Sequence, residues 1–330
     1  MQHKLRPIKL MEQYSKLREA DLIDFISRFH ENEGHVHRNC PVCSLDRASK
    51  AFEKEGFDFV TCDDCGCLYV NPVPTDDLLT MYYDGFSSME FFHENILKPT
   101  EDERKKIFHR RAQDMKPFVK PGDKILEIGS SIGFFIEAAL KEGWDVSGVE
   151  INSNLVEYTK NKFGVQIYQG MFEHVNFDHC YNMVVMWEVL EHIVEPYGLL
   201  KKIAQALPQG GRFVGTLPNI DGIEFKVCGK DHEMIEAPGH LNYFSIQTLE
   251  KLFDRAGFKL VFYSTPGILD FINIMNDIHK GESGSIGDSF LTQLQGSIPK
   301  EDWDEVDATL TRVIQKNKLS GNIFIVAEKL

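Results

Sequence analysis

Four cysteines stand as two Cys-x-x-Cys pairs, Cys40/Cys43 and Cys62/Cys65, with 18 residues between the pairs. Such pairs sit on tight turns that aim two thiolates each at one tetrahedral ion, so the spacing fits a structural zinc ribbon. A thiol redox pair would use one Cys-x-x-Cys and leave the second unexplained. Gly66 relieves the second turn, and Ala51 to Val60 reads as two short strands around Gly56, the hairpin that a ribbon requires. Cys67 is a spare thiol at the start of the apolar run Cys67-Leu-Tyr-Val70.

A second constellation is Lys124-Ile-Leu-Glu-Ile-Gly-Ser-Ser-Ile-Gly-Phe-Phe135, which reads as a buried strand, a glycine turn and a helix start at Phe134. Gly129 and Gly133 bracket a turn where a ligand can approach bare backbone, and the spacing through Ser131 is E-x-G-x-S-x-G. A second strand, Asp145 to Ile151, ends in Glu150, 21 positions after Gly129, where an acid holds ribose hydroxyls. The same geometry could hold NAD, and Glu127 discriminates. A carboxylate there would face a dinucleotide's pyrophosphate, whereas S-adenosylmethionine offers a sulfonium and an ammonium. The alternative is a turn that merely packs strand on helix. The third constellation is Glu188-Val-Leu-Glu191-His192, in which positions i, i+3 and i+4 share one helical face if the preceding strand has ended by Glu188.

The elements that must position these groups read in order. Residues 8–30 carry spaced apolar side chains among charges, giving one or two amphipathic helices that act as a packing arm. The arm spans 1–34, the ribbon 35–74 and a helical linker and lid 75–120, whose Tyr82, Tyr83, Phe86, Phe91 and Phe92 line a pocket or fill a core. From Pro121 strands and helices alternate as a parallel, helix-covered sheet demands. Strands are predicted at 124–128, 145–150, 165–168, 182–186, 212–217, 258–264 and 322–328, so the 121–330 domain has a seven-stranded Rossmann-like α/β sheet with a helical insertion at about 267–320. Within that insertion, Gly281 to Gly287 reads as a loop between helical pieces.

Composition limits the partners. The 330-residue chain carries a net charge of −14, which repels phosphodiester backbones, and residues 38–77 hold eight acidic against four basic side chains. Nucleic acid is therefore a disfavoured partner. No run of 18 apolar residues occurs and the N-terminus has no apolar signal core, so the expectation is a cytoplasmic protein with reduced thiols and no membrane contact.

Residues 121–265 resemble a class I S-adenosylmethionine-dependent methyltransferase, of the group that pairs this domain with an N-terminal cysteine module. The resemblance rests on Glu127-Ile-Gly129 with Ser131 and Gly133, on Asp145 to Glu150, and on Met186-Trp-Glu-Val-Leu-Glu-His192. Leu207-Pro-Gln-Gly-Gly211, Leu217-Pro-Asn219 and Pro238-Gly-His-Leu-Asn-Tyr-Phe-Ser245 add to it. Ser131 stands where the family more often has glycine, and Asn182 where it usually has aspartate, a position read as structural.

The resemblance implies S-adenosylmethionine bound by Glu127, Gly129, Ser131, Gly133, Phe134, Glu150, Ile151, Trp187 and Glu188. It puts the acceptor where the loops after the fourth and fifth strands meet, with His240, or His192, as general base and a hydrogen-bonded structural role as the alternative for each. Some related O-methyltransferases hold a divalent ion with a run like Glu188, Glu191 and His192; the competing reading has Glu191 and His192 bonded to backbone. Methyltransferases of base amino groups or protein glutamines commonly carry N-P-P-[YF] after the fourth strand, and this chain has Met186-Trp-Glu-Val189. A nucleotide-linked sugar or small hydroxylated metabolite of surface-polysaccharide or secondary metabolism is thus the expected acceptor. The alternatives are a tRNA or protein methyltransferase that docks through its ribbon, and a non-catalytic cofactor-binding adaptor.

Overall fold

The computed structural model describes residues 8–31, 34–175, 181–267, 297–299 and 302–330. Its centre is β6 (Lys124–Ile128), a short apolar strand buried along nearly its whole length. Around it lie β7 (Asp145–Glu150), β8 (Ile167–Gln169), β9 (Met183–Trp187), β10 (Arg212–Pro218), β12 (Phe258–Ser264) and β13 (Asn322–Lys329), in the order β12-β13-β10-β9-β6-β7-β8. All seven predicted strands are present, with ends displaced by at most two residues. Neighbours from β10 to β8 run parallel, and β13 is antiparallel to both β10 and β12.

Alternation along the strands separates two cores. Met183, Val185 and Trp187 of β9 pack with Phe135 and Ile136 of α5 (Phe134–Lys141) and Val156 of α6 (Ser153–Phe163). Val184 and Met186 face Leu199, Leu200 and Ile203 of α7 (Pro196–Ala206) and Leu252 and Phe253 of α9 (Ile246–Ala256). A strand buried on both faces must be apolar at every position, which is why these segments read as continuous runs. Asn182 is structural: its side chain accepts from Lys124 N at 3.0 Å, and its backbone carbonyl accepts from Arg212 N, tying the starts of β6, β9 and β10.

The cysteine module is built on the predicted hairpin, β2 (Ala48–Lys54) and β3 (Phe57–Cys62), followed by β4 (Leu68–Val70). A strand from far along the chain, β11 (Asn242–Tyr243), pairs antiparallel with β4 and completes a four-stranded sheet. Among the described residues the N-terminal arm forms one helix, α1 (Ile8–Phe29), whose Leu22, Phe25 and Phe29 bury against Phe57, Phe59, Tyr82 and Phe86. Tyr82 and Phe86 thus fill a core, while the Tyr83 ring lies 6.5 Å from that of His192. Most of the 267–320 insertion, including the Gly281 to Gly287 loop, lies outside the described residues, and its end forms α10 (Trp303–Lys316).

Candidate active site

The glycine turn leaves β6 with three positive φ angles, Gly129 at 76°, Ser131 at 48° and Gly133 at 82°. A Cβ on Gly129 would lie 2.8 Å from Val189 Cγ2, and one on Gly133 would lie 2.6 Å from Phe163, so both positions exclude a side chain. Gly129 N and Ser130 N both donate to Val149 O of β7. Ser131 N donates to Glu150 Oε2 and Asn152 N to Glu150 Oε1, so Glu150 braces the turn from the neighbouring strand.

A cavity of about 240 Å³ opens over this turn, at the carboxyl ends of β6 and β9 where the strand order reverses. This is the position at which open α/β sheets take ligands. Of the residues predicted for the cofactor, Glu127, Gly129, Ser131, Phe134, Trp187 and Glu188 line it. Gly133 and Ile151 are not in the lining, and Glu150 acts from behind the turn. Glu127 is 2% exposed and its Oε2 has no hydrogen-bond partner among the described residues. Burial, reinforced by Glu150, pushes its carboxyl well above the usual carboxylate range. A cationic ligand group beside it would favour its ionised form.

The outer wall is α4 (Glu101–Met115), which contributes Arg104, Ile107, Phe108 and Arg111, with Leu97 from the preceding turn. The reading of the sequence assigned none of these to the site. The signal was present as a mixed basic and apolar stripe at i, i+3, i+4 and i+7, in a segment without a recognisable motif.

The Glu188-x-x-Glu191-His192 run is not one helical face. Glu188 has φ 55°, and the helical piece is a three-residue turn, Leu190–His192. Glu188 turns toward the cavity, where Arg111, Thr216 and Asn322 hold its carboxylate. The residue that joins Glu191 and His192 is His240, and one ligand atom from each lies within 4.8 Å of the others. His192 Nδ1 donates to Gly239 O at 2.6 Å and His240 Nδ1 to Met234 O at 2.9 Å; a carbonyl only accepts, so Nδ1 of each ring carries a hydrogen and a neutral ring there has its lone pair on Nε2. Burial, with the charge of His240 second, lowers His192 to about 4. Both oxygens of the buried Glu191 lack a hydrogen-bond partner, and burial followed by Glu188 raises its pKa. This trio can accept a proton from a hydroxyl or hold a cation.

The sequence-predicted thiols also converge. Cys40 Sγ and Cys65 Sγ are 3.5 Å apart, as are those of Cys43 and Cys62, and all four lie within 4.8 Å. Thiolates 2.3 Å from a tetrahedral ion would be about 3.8 Å apart, so the four fit one zinc. Cys67 is fully buried with its Sγ directed at Leu68 O and Tyr243 O, outside that set.

Comparison with known proteins agrees with this geometry. Residues 100–262 match the methyltransferase domain family. A ubiquinone biosynthesis O-methyltransferase of Citrobacter koseri is 29% identical over 104 residues, covering 29% of this chain and 43% of that protein. One from Coxiella burnetii is 25% identical over 119 residues, covering 34% and 51%. The chain spans about half the length of the curated relatives it matches. Among solved structures, a SAM-dependent methyltransferase from Archaeoglobus fulgidus is 17% identical with a TM-score of 0.47, covering 68% of this chain and 94% of that one. A possible histamine N-methyltransferase from Thermotoga maritima is 20% identical with a TM-score of 0.45, covering 72% and 98%.

Proposed function

We propose that this chain, which carries a methyltransferase domain over residues 100–262, transfers the methyl group of S-adenosylmethionine to a hydroxyl of a small acceptor, with a nucleotide-linked sugar or similar hydroxylated metabolite as first choice. The observation that carries the reading is the buried, partnerless Glu127 Oε2 in a cavity at the carboxyl ends of β6 and β9. An acid so placed suits an ammonium and disfavours a pyrophosphate. The cofactor supplies an activated methyl on sulfur. The protein's own part is alignment and removal of the acceptor proton. Glu127, Ser131, Phe134, Trp187 and Glu188 would hold the cofactor, with Glu150 keeping the turn in shape.

His240 is the proposed base, because its loop follows β10 and its ring lies 4.8 Å from that of His192. Oxygen as the methylated atom is supported by the names of the curated relatives, which are O-methyltransferases. The chain's net charge of −14 speaks against an RNA acceptor. A zinc ion at Cys40, Cys43, Cys62 and Cys65 would cross-link the two turns of the module.

The convergence of Glu191, His192 and His240 favours a second reading of the acceptor side, in which they hold a divalent cation that binds the acceptor oxygen. Transfer of label from S-adenosylmethionine into metabolite, RNA and protein pools tests the acceptor class, and the expected result is label in the metabolite pool alone. Calorimetry tests the cofactor: micromolar binding of S-adenosylhomocysteine and none of NAD is expected, and equal binding of NAD would overturn the reading.

A further inference from the structure

Both readings of the acceptor side ask the same of His192 and His240. A base takes up a proton, and a ligand takes up a cation, on a ring nitrogen that carries no hydrogen. Free neutral histidine favours the hydrogen on Nε2, so the protein has to hold the less common form. It does so with two backbone carbonyls, Gly239 O for His192 and Met234 O for His240. Both carbonyls belong to one turn, residues 234–240, and the state of both rings depends on what keeps that turn in place.

Part of the hold is internal. His240 N donates to Glu236 O at 2.7 Å, and the Tyr243 hydroxyl accepts from Glu236 N and donates to His240 O. The rest comes from the N-terminal arm. Arg18, Leu22, Phe25 and Phe29 recur at i, i+4, i+7 and i+11 on one face of α1, and the Arg18 side chain is 11% exposed. A cation on an apolar stripe is costly unless its donors are used. Arg18 Nη2 donates to Ala237 O at 2.9 Å, in the middle of the histidine turn, and Nε lies 3.2 Å from Glu236 Oε1. Nη1 and Nη2 also donate to Glu55 Oε1 and Oε2, at 3.2 and 2.9 Å, in the turn between β2 and β3. A planar guanidinium bound along two edges cannot swing, so it transmits the position of α1 to the turn.

We infer that Arg18 is a positioning residue: by holding Ala237 O and the Glu236 carboxylate, it keeps the 234–240 turn where its carbonyls fix both imidazoles with Nε2 free of hydrogen. The inference deepens the proposed function and rests on it for the use made of those rings; the packing arm becomes part of the acceptor side.

Nitrogen-15 NMR of the histidine rings in the full chain reads the tautomer without any acceptor, at about pH 8.5, where ordinary histidines are neutral. Signals lost in His192→Gln and His240→Ala assign the two rings. In the wild type both should carry their hydrogen on Nδ1. Arg18→Met should move both toward the Nε2–H form, and Arg18→Lys, which keeps the charge without the fork, should give a mixture. Glu55→Gln leaves Ala237 O and Glu236 within reach of Arg18 and should leave both rings as in the wild type. Wild-type rings with hydrogen on Nε2, or rings unchanged in both Arg18 variants, would overturn the inference. An equal change in Glu55→Gln would do the same, reducing Arg18 to a tether between arm and hairpin. Should Arg18→Met not fold, Arg18→Lys decides alone.

Transfer of label from S-adenosylmethionine into the metabolite pool separates the inference from the reading beneath it. Arg18→Met should lower transfer about tenfold with S-adenosylhomocysteine affinity within about twofold, and should cost nothing further in a His240→Ala background. A loss that adds in full to that of His240→Ala is general structural damage and counts against the inference. If His240→Ala transfers label normally, the base reading falls, and the tautomers alone judge Arg18.

Discussion

The glycine turn and the proposed acceptor side of the cleft are built in opposite ways. The glycine turn of the cofactor end is local: β6, the turn and Glu150 lie within 27 consecutive residues, 124–150, and bond to one another through Ser131 N, Gly129 N and Ser130 N, while the rest of the cavity wall comes from Leu97, α4, Trp187 and Glu188. The proposed acceptor end is assembled from four remote segments. Leu241 N donates to Glu191 O, Asn242 Nδ2 to Ile193 O, and Val70 N of the cysteine module to Leu241 O. Arg38, two residues before the first thiol, is the hub. Its buried guanidinium donates to Val70 O, Leu241 O and Asn242 Oδ1, and to Val194 O. Burial lowers this guanidinium to about 10, still charged at neutral pH.

The difference teaches that the module is joined to the histidine loop by backbone pairing and one buried cation, whereas the hydrogen bonds that shape the cofactor turn come from β7 and Glu150. Damage to the module should therefore appear in turnover and damage to the turn in cofactor affinity. The largest effect is expected from the thiols. Cys65→Ser should lose the metal and, with β4 no longer available to β11, abolish turnover, while Cys67→Ser keeps the metal; metal analysis beside a turnover assay reads both. The reverse pattern would place Cys67 in the ligand set.

Next comes the base. His240→Ala should lower turnover roughly 10²-fold or more with S-adenosylhomocysteine affinity nearly intact. Full turnover in that variant across pH 6 to 9 would place the base elsewhere. Arg38→Lys keeps the charge but loses the fork, and should cost about tenfold in turnover with cofactor affinity within about twofold. A matching loss of affinity would erase the division between the two ends.

On the other side, Glu150→Ala removes the acceptor of two backbone N–H groups in and beside the turn. It should weaken S-adenosylhomocysteine by about 1.5 to 3 kcal/mol and leave turnover at saturating cofactor unchanged. The smallest effect is a pH slope. Glu127 holds its proton well above the ordinary carboxylate range in the free protein, and an ammonium favours its ionised form. Binding should release a proton, and affinity should rise with pH up to the raised pKa and level off above it. Glu127→Gln should bind more weakly and flatten the slope, which calorimetry over a pH series would read.

Much of this was legible in the chain. The central strands could be placed because a parallel sheet covered on both faces requires unbroken apolar runs, and the thiol set because two Cys-x-x-Cys pairs are meaningful by spacing alone. Gly129 and Gly133 announced a turn, since backbone at positive φ admits few residue types, and the structure adds Ser131 to it. The sequence by itself thus determined whatever depends on neighbours along the chain. Three features depended on the tertiary structure. The sharp backbone at Glu188 takes that acid away from Glu191 and gives it to Arg111, Thr216 and Asn322, which lie 77, 28 and 134 positions away. The antiparallel pairing of β11 with β4 brings the loop of His240 against the cysteine module. The inward face of α4 adds Arg111 to the cavity. Each is a contact between segments far apart in sequence, fixed by packing and by the need of buried polar groups for partners, and no local pattern encodes which distant segment supplies them.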